Sequence, residues 1–409
     1  MVCEKNDDVN HDFFNDPISY YVKDGWVRTN GTTLGADDGI GVASALAIVD
    51  CGLKGSLSHG PLFCLFTVDE ETGLTGAYNL QPDFLPASVL INLDSEDEGQ
   101  IFIGCAGGCT TTASFDSSFV VSPADSLGLK FSLRGLLGGH SGGDIHLGRA
   151  NANILLARFL LHASRVCGLR LASFDGGNLH NAIAREASAL CSVPFEQKEN
   201  LRVEFNLFLA GLQEEFDGVE PNIDFDFETT AVPSKIFDAN LQNRLLSALV
   251  ACPHGVLAMS HNIDNLVQSS TNLASVRTSQ DNVTVVTSQR SSVESGKAWA
   301  QSMVASVFSL AGAHVVSSEG YPSWTPNTKS PILAKACSAY RSLFNVDPQV
   351  LAIHAGLECG LFLNKKPGLD MISVGPTLRA VHSPDEAVDI ASVDKFWDFL
   401  LKTLDCHSL

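Results

Sequence analysis

Two uncharged apolar runs, Leu62 to Val68 and Ser88 to Leu93 (SVLINL), predict strands covered on both faces. Before them, from Gly39, the stretch GIGVASALAIVDCG takes on helical character, and Gly52 stops it right after Cys51. Helix and strand alternate through this region, which predicts a layered α/β sheet. The character changes near Gly107. LKFSLRG (129–135) alternates faces like a half-covered strand, a long helix is expected from about Arg149 to Cys167, and VCGLRLASFDGG reads as strand and turn. From about Ser292 the alternation returns, with helical spacing in PILAKACSAYRSLF (Pro331 to Phe344), a strand at Met371 to Val374 and a final helix from Ile390 to Leu404. The pattern predicts a discontinuous α/β domain, 1–107 and 301–409, with an α+β domain, 108–300, inserted into it.

Charge narrows the partners. The formal charge is 26 − 46 = −20, the wrong sign for nucleic acid or an anionic membrane surface, both of which call for basic patches. No stretch of about 20 apolar residues spans a bilayer, and the polar start MVCEKNDDVNHDFF does not read as a secretory leader. The 11 cysteines form no C-x-x-C pair. They read as reduced thiols of a cytoplasmic protein.

The surplus acid is placed in an informative way. Asp37-Asp38 stands before the Gly39 helix, Asp69-Glu70-Glu71 follows one predicted strand, and Asp94 follows the next. Ligands of open α/β sheets sit beyond the carboxyl ends of the strands. Carboxylates converging there repel and call for a cation, and zinc accepts Asp, Glu and His together. Loop acids facing water are the alternative for any one cluster. His382, in VGPTLRAVHSPDE (374–386), supplies a histidine after a further strand.

Taken together, TTLGADDGIGVASALA, FTVDEETGLTGA, LINLDSEDEGQIFIGCAGG, GGHSGGDIHLGRANA, IHAGLECGLF and VGPTLRAVHSPDE resemble the M20 metallopeptidases, and most of all their aminoacyl-histidine dipeptidase branch. The resemblance runs through nearly the whole chain. It implies a zinc-aminopeptidase-like catalytic domain, an α/β/α sandwich, with an inserted lid domain through which the protein forms a homodimer. It implies hydrolysis of small peptides, Xaa-His dipeptides above all, with a tripeptidase, carboxypeptidase or N-deacylase activity, or a non-catalytic binding protein, as alternatives.

The resemblance also implies roles. Asp37 bridges two metals, Glu71 and His382 complete one site, and Asp94 serves the other. Glu70 is the general base, and His140 of the second subunit polarises the scissile carbonyl. Asn181 lies near the lid substrate site, Arg290 pairs with a substrate carboxylate, and Glu358 receives the substrate amino group. Two Zn2+ are expected, with Mn2+ or Co2+ as alternatives, but the histidine of the family's His-x-Asp motif would fall just before residue 1. One metal site is therefore complete in this chain, and the other keeps only Asp37 and Asp94.

Overall fold

The protein is described from a computed structural model, of which residues 1–55 and 57–405 are described. The chain divides into two compact units, Met1–Cys105 with Pro322–Leu409, and Ala106–Tyr321.

The first unit holds a mixed four-stranded sheet in the order Gln349–Ile353, Gln100–Cys105, Asp370–Ser373, Val89–Asn92. The two outer pairings are parallel. Met371, Cys105, Cys359, Phe362 and Trp324 form its buried core. A second sheet joins Tyr20–Lys23, Trp26–Thr29, Ala387–Asp389 and Leu378–Arg379. Leu378 pairs with Val388 and Arg379 with Ala387. Residues 380–386 thus form the loop of a hairpin, and this loop carries His382. The helix Ala36–Leu53 docks here through Ala36, beside Leu378 and Val388.

The second unit is built on a nine-stranded antiparallel sheet. Its central run is Ala187–Pro194, Arg170–Gly176, Val267–Thr278, Asn282–Ser291 and Gly107–Asp116. The helices Ala152–Val166 and Ala239–Ala251 bury Leu155, Leu156, Phe159, Leu245 and Leu249 against it. Each begins with a side-chain cap: Asn151 accepts from Asn153 and Ile154 N–H, and Asp238 from Asn240 and Leu241 N–H. Such caps satisfy backbone donors that a first turn leaves without partners.

The helix Pro331–Phe344 and the helix Ile390–Leu404 fall on their expected bounds. Two expectations do not hold in detail. The inserted unit extends past residue 300 to Tyr321, because His314–Ser317 adds itself to the sheet edge at Gly107–Asp116. The run Leu62 to Val68 forms no strand. Its Leu65 packs on the first unit's core while Phe63 is 61% exposed. The strand Val89–Asn92 has one neighbour, Asp370–Ser373. An apolar run needs an adjacent strand to take its N–H and C=O groups before it becomes part of a ladder, and among the described residues this one has none. Among the cysteines, the ten described are free thiols; Cys406 lies outside the described residues.

A titrating group sits in the second unit, at His254 ahead of the strand Gly255–Met259. The Leu273 N–H donates to its Nδ1 at 3.3 Å. Burial pushes its pKa down to about 4, so it is folded in as a neutral acceptor. Between pH 6.5 and 4 the unfolded chain binds a proton that the folded chain refuses. Stability therefore falls with pH across that window, by roughly 2 kcal/mol for a half-buried group. Urea unfolding at pH 7 and 4.5 will show a smaller pH-dependent loss in His254→Gln than in the parent. Equal losses would remove His254 as the source.

Candidate metal centre and substrate-binding residues

The first helix opens irregularly. Asp37 (φ −89°, ψ 109°) and Asp38 (φ −105°, ψ 48°) are not helical, and the peptide between them is cis. The Gly41 N–H donates to Asp38 Oδ1 at 3.0 Å. A Cβ at Gly41 would lie 2.4 Å from both Asp38 oxygens, so the turn requires glycine there. The loop ahead of the helix is held from across the unit by Glu386, which is 2% exposed. Leu34 and Gly35 N–H donate to its Oε2 at 2.8 and 2.9 Å, and Asp37 N–H donates to its Oε1 at 3.1 Å. Sequence reasoning named HSPDE for its histidine and passed over this glutamate. It fixes Asp37 relative to the His382 loop, since both ends of the tether lie within four residues of a site residue.

Asp37, Glu71 and His382 come together. One donor atom from each lies within 4.8 Å of the others. His382 Nε2 is 2.9 Å from Asp37 Oδ2 and 3.0 Å from Glu71 Oε2. Burial disfavours a charge on His382, but Glu71 and Asp37 outweigh it and raise its pKa. His382 sits at φ 61°, a left-handed conformation that costs a non-glycine residue about 1–3 kcal/mol and is tolerated where surroundings impose it.

The remaining acids crowd this trio. Asp94 follows the strand Val89–Asn92, its N–H donating to Asn92 Oδ1 at 3.1 Å. Burial, then the charges of Asp38, Asp37 and Glu70, hold its carboxyl well above the usual range, and it shares a hydrogen bond with Asp37. Glu70 is pushed up to about 7 by burial and by Glu71, Glu358 and Asp37. Asp38 reaches about 7 through burial and Asp37. Glu358, 7% exposed, accepts from Thr67 Oγ1 at 2.9 Å on Oε2, while its Oε1 has no partner. Carboxylates this close and this dry remain ionised only with a cation among them. Two carboxylate oxygens and an imidazole nitrogen converging from three segments match the donor chemistry of a zinc site. A second position between Asp37 and Asp94 has carboxylates alone.

The second unit brings together a different set. His140 and Ala182 pair across two short strands, and the Ser141 N–H donates to the Asn181 carbonyl at 2.8 Å. Gly143 and Gly142 N–H donate to His140 Nδ1 at 2.9 and 3.3 Å. That leaves the ring proton on Nε2. Burial and then Arg290 lower the pKa of His140, with Asp144 opposing them, so the ring is a neutral N–H donor. Arg290 is 8% exposed.

Some residues stay outside. Asp69 accepts from Thr75 Oγ1 at 2.6 Å and from Thr72 Oγ1, which makes it a turn residue. His11 stacks edge-on against Phe13, with 4.6 Å between centroids. Among the described residues it joins no metal-ligating group.

Residues 10–405 match peptidase family M20/M25/M40. The cytosol non-specific dipeptidase of Escherichia coli (strain K12) is 42% identical over 404 residues, 99% of this chain and 83% of that protein. The structure of the aminoacylhistidine dipeptidase from Vibrio alginolyticus superposes with a TM-score of 0.90 at 42% identity, over 99% of this chain and 82% of that one. A tripeptidase from Staphylococcus aureus, 16% identical, superposes with a TM-score of 0.52 over 96% of this chain and 76% of that one, which shows a shared fold alone.

A cation that binds the folded site and not the unfolded chain stabilises the protein. Zinc at a hundredfold excess over its Kd will raise stability by about 2.7 kcal/mol. The rise, read by thermal unfolding with and without zinc, will vanish in His382→Ala. An undiminished rise in that variant would place the cation elsewhere.

Proposed function

The chain belongs to peptidase family M20/M25/M40, and we propose from that premise that it is a metal-dependent dipeptidase whose substrates include Xaa-His dipeptides. The observation that carries this reading is the trio Asp37, Glu71 and His382 within 4.8 Å, with Glu70 beside it. The names of the two 42%-identical relatives support dipeptides as the substrate class. The name of the Escherichia coli relative also supports a cytosolic location. We assign the first unit to catalysis and the second to a lid through which two copies associate.

Asp37, Glu71 and His382 would hold zinc, and Asp37 with Asp94 would offer a second, weaker position. Bound there, zinc would polarise the peptide carbonyl and acidify a water molecule. Glu70 takes the proton of the attacking water and returns it to the leaving amine. Its carboxyl, lifted to about 7 by its surroundings, is matched to accepting and giving a proton near neutral pH. Glu358 is buried with a partnerless oxygen, the complement of the ammonium at the amino end of a dipeptide. Neutral His140 of the second subunit, with its proton on Nε2, donates to the carbonyl oxygen as charge builds on it. Asn181 lies on the segment paired with it, its carbonyl accepting from Ser141 N–H, and Arg290 takes the substrate carboxylate. A second reading, peptide or metal binding without turnover, draws on the second metal position, to which Asp37 and Asp94 bring carboxylates alone among the described residues.

Glu70→Gln separates the two readings. Hydrolysis of glycyl-histidine in the presence of zinc will fall by about 10²–10⁴ on loss of the general base. Zinc content per chain, read by mass spectrometry, will stay that of the parent. A parent that binds zinc and releases no histidine would favour the binding protein.

A further inference from the structure

Two neighbouring strands of the second unit, Val267–Thr278 and Asn282–Ser291, carry buried polar side chains where a sheet face ordinarily packs apolar ones. Ser270 stands opposite Arg290, and Asn272 opposite Ser288. Opposed residues share a face, as do residues two apart on one strand. Asn272 is 1% exposed and Ser288 7%. Asn272 Nδ2 donates to the Ala182 carbonyl at 2.8 Å, while its Oδ1 has no partner. Ser288 Oγ and Arg290 Nε are likewise buried without partners. Among the described residues no carboxylate forms an ion pair with Arg290. A buried guanidinium without an anion is unfavourable, and a ligand carboxylate relieves it.

One hydrogen bond fixes how the guanidinium is presented. Arg290 Nη1 donates to the Tyr321 hydroxyl at 2.7 Å. Gly108 stands opposite Arg290 on the next strand. A Cβ there would come within 2.7 Å of the Tyr321 phenol oxygen and its ring carbon, so the absent side chain is the seat of the ring. The Tyr321 backbone is fixed as well. Its N–H donates to the Gly108 carbonyl at 2.9 Å, and its carbonyl accepts from Gly108 N–H at 3.1 Å and Lys297 Nζ at 2.8 Å. With Nη1 held by a rigid phenol, Nε and Nη2 remain as a pair. That edge grips a carboxylate through two parallel hydrogen bonds.

We propose that Tyr321 is the positioning residue of Arg290, turning its Nε–Nη2 edge toward the carboxylate of the substrate and so setting the preference for peptides with a free carboxyl end. This rests on the assignment of Arg290 to the substrate carboxylate made above. Tyr321 does not itself touch the substrate. It acts by stopping the guanidinium from rotating, and Gly108 is what allows it to stand there.

The test compares dissociation constants of glycyl-histidine and glycyl-histidine amide by calorimetry, with zinc present, in a Glu70→Gln background that halts turnover. The free acid will bind more tightly than the amide in that parent. Adding Tyr321→Phe, which keeps the ring and removes the hydroxyl, will cut this acid-over-amide ratio by roughly tenfold, the worth of one hydrogen bond to a charged group. Arg290→Lys, lacking the forked edge, will erase the ratio. If Tyr321→Phe weakens both ligands equally, or leaves the ratio unchanged while Arg290→Lys erases it, Tyr321 is not the positioning residue and Arg290 keeps its role. If Arg290→Lys also leaves the ratio intact, or the parent shows no discrimination, the assignment of Arg290 fails and the proposal with it.

Discussion

Mutual repulsion among Asp37, Asp38, Glu70, Glu71 and Asp94 is the constraint around which the first unit is organised. Two like charges 4 Å apart repel by about 4 kcal/mol at the effective dielectric of a protein surface, and burial adds to that. The fold holds them together nonetheless. Glu386 clamps the Asp37 loop through three backbone N–H groups, itself one more buried acid. Gly41 leaves space for the Asp38 carboxylate, and His382 is kept in a left-handed conformation beside Asp37 and Glu71. Raised carboxyl pKa values at Asp38, Glu70, Glu71 and Asp94 are what such a cluster does when protons stand in for a cation. Cation and proton compete for the same oxygens.

The second unit meets the opposite problem. Its central positive group, Arg290, is buried among neutral polar side chains, and the neighbouring His140 is kept neutral by burial and by that same charge. An imidazolium beside a buried guanidinium would repeat, with the sign reversed, the strain of the carboxylate cluster. A neutral ring instead supplies a donor without a second positive charge, and two glycine N–H groups on Nδ1 decide which nitrogen carries the proton. Those glycines, Gly142 and Gly143, follow His140 closely in the run GGHSGG. Here their backbone amides set its tautomer.

What was legible in the sequence follows from how local the determining forces are. Helices with their own start and stop residues, Pro331–Phe344 and Ile390–Leu404, were found to the residue. Asp37, Glu71 and His382 stood out in the sequence by residue type, and the fold brings one donor atom of each within 4.8 Å of the others. Glu386 and Tyr321 did not stand out, because each acts through one partner far along the chain, Asp37 and Arg290, and nothing in the neighbouring residues marks that pairing. The Leu62 to Val68 run was misread for a related reason. Apolar composition describes what a strand buries, whereas a strand exists only when a neighbour accepts its backbone hydrogen bonds, and that neighbour is not local. The boundary past residue 300 turned on a single edge strand, His314–Ser317, too short to register in hydrophobic patterning.

Three consecutive acids, Asp69, Glu70 and Glu71, posed the sharpest puzzle in the sequence, and the geometry of a single helical turn resolves it. Successive residues on a helix are about 100° apart, so neighbours in sequence do not face one another. Glu70–Gly73 is one such turn, with Asp69 as the residue before it. Asp69 points back to the hydroxyls of Thr72 and Thr75 and stays at the surface. Glu71 points to His382. Glu70 is drawn into the acid cluster, where burial first and then Glu71, Glu358 and Asp37 raise its pKa. Alternation in a strand would have set Asp69 and Glu71 on one face and Glu70 on the other, pairing two acids that need different surroundings. The end of the extended run and the start of the turn, at the left-handed Asp69, is therefore the point at which three identical charges acquire three environments.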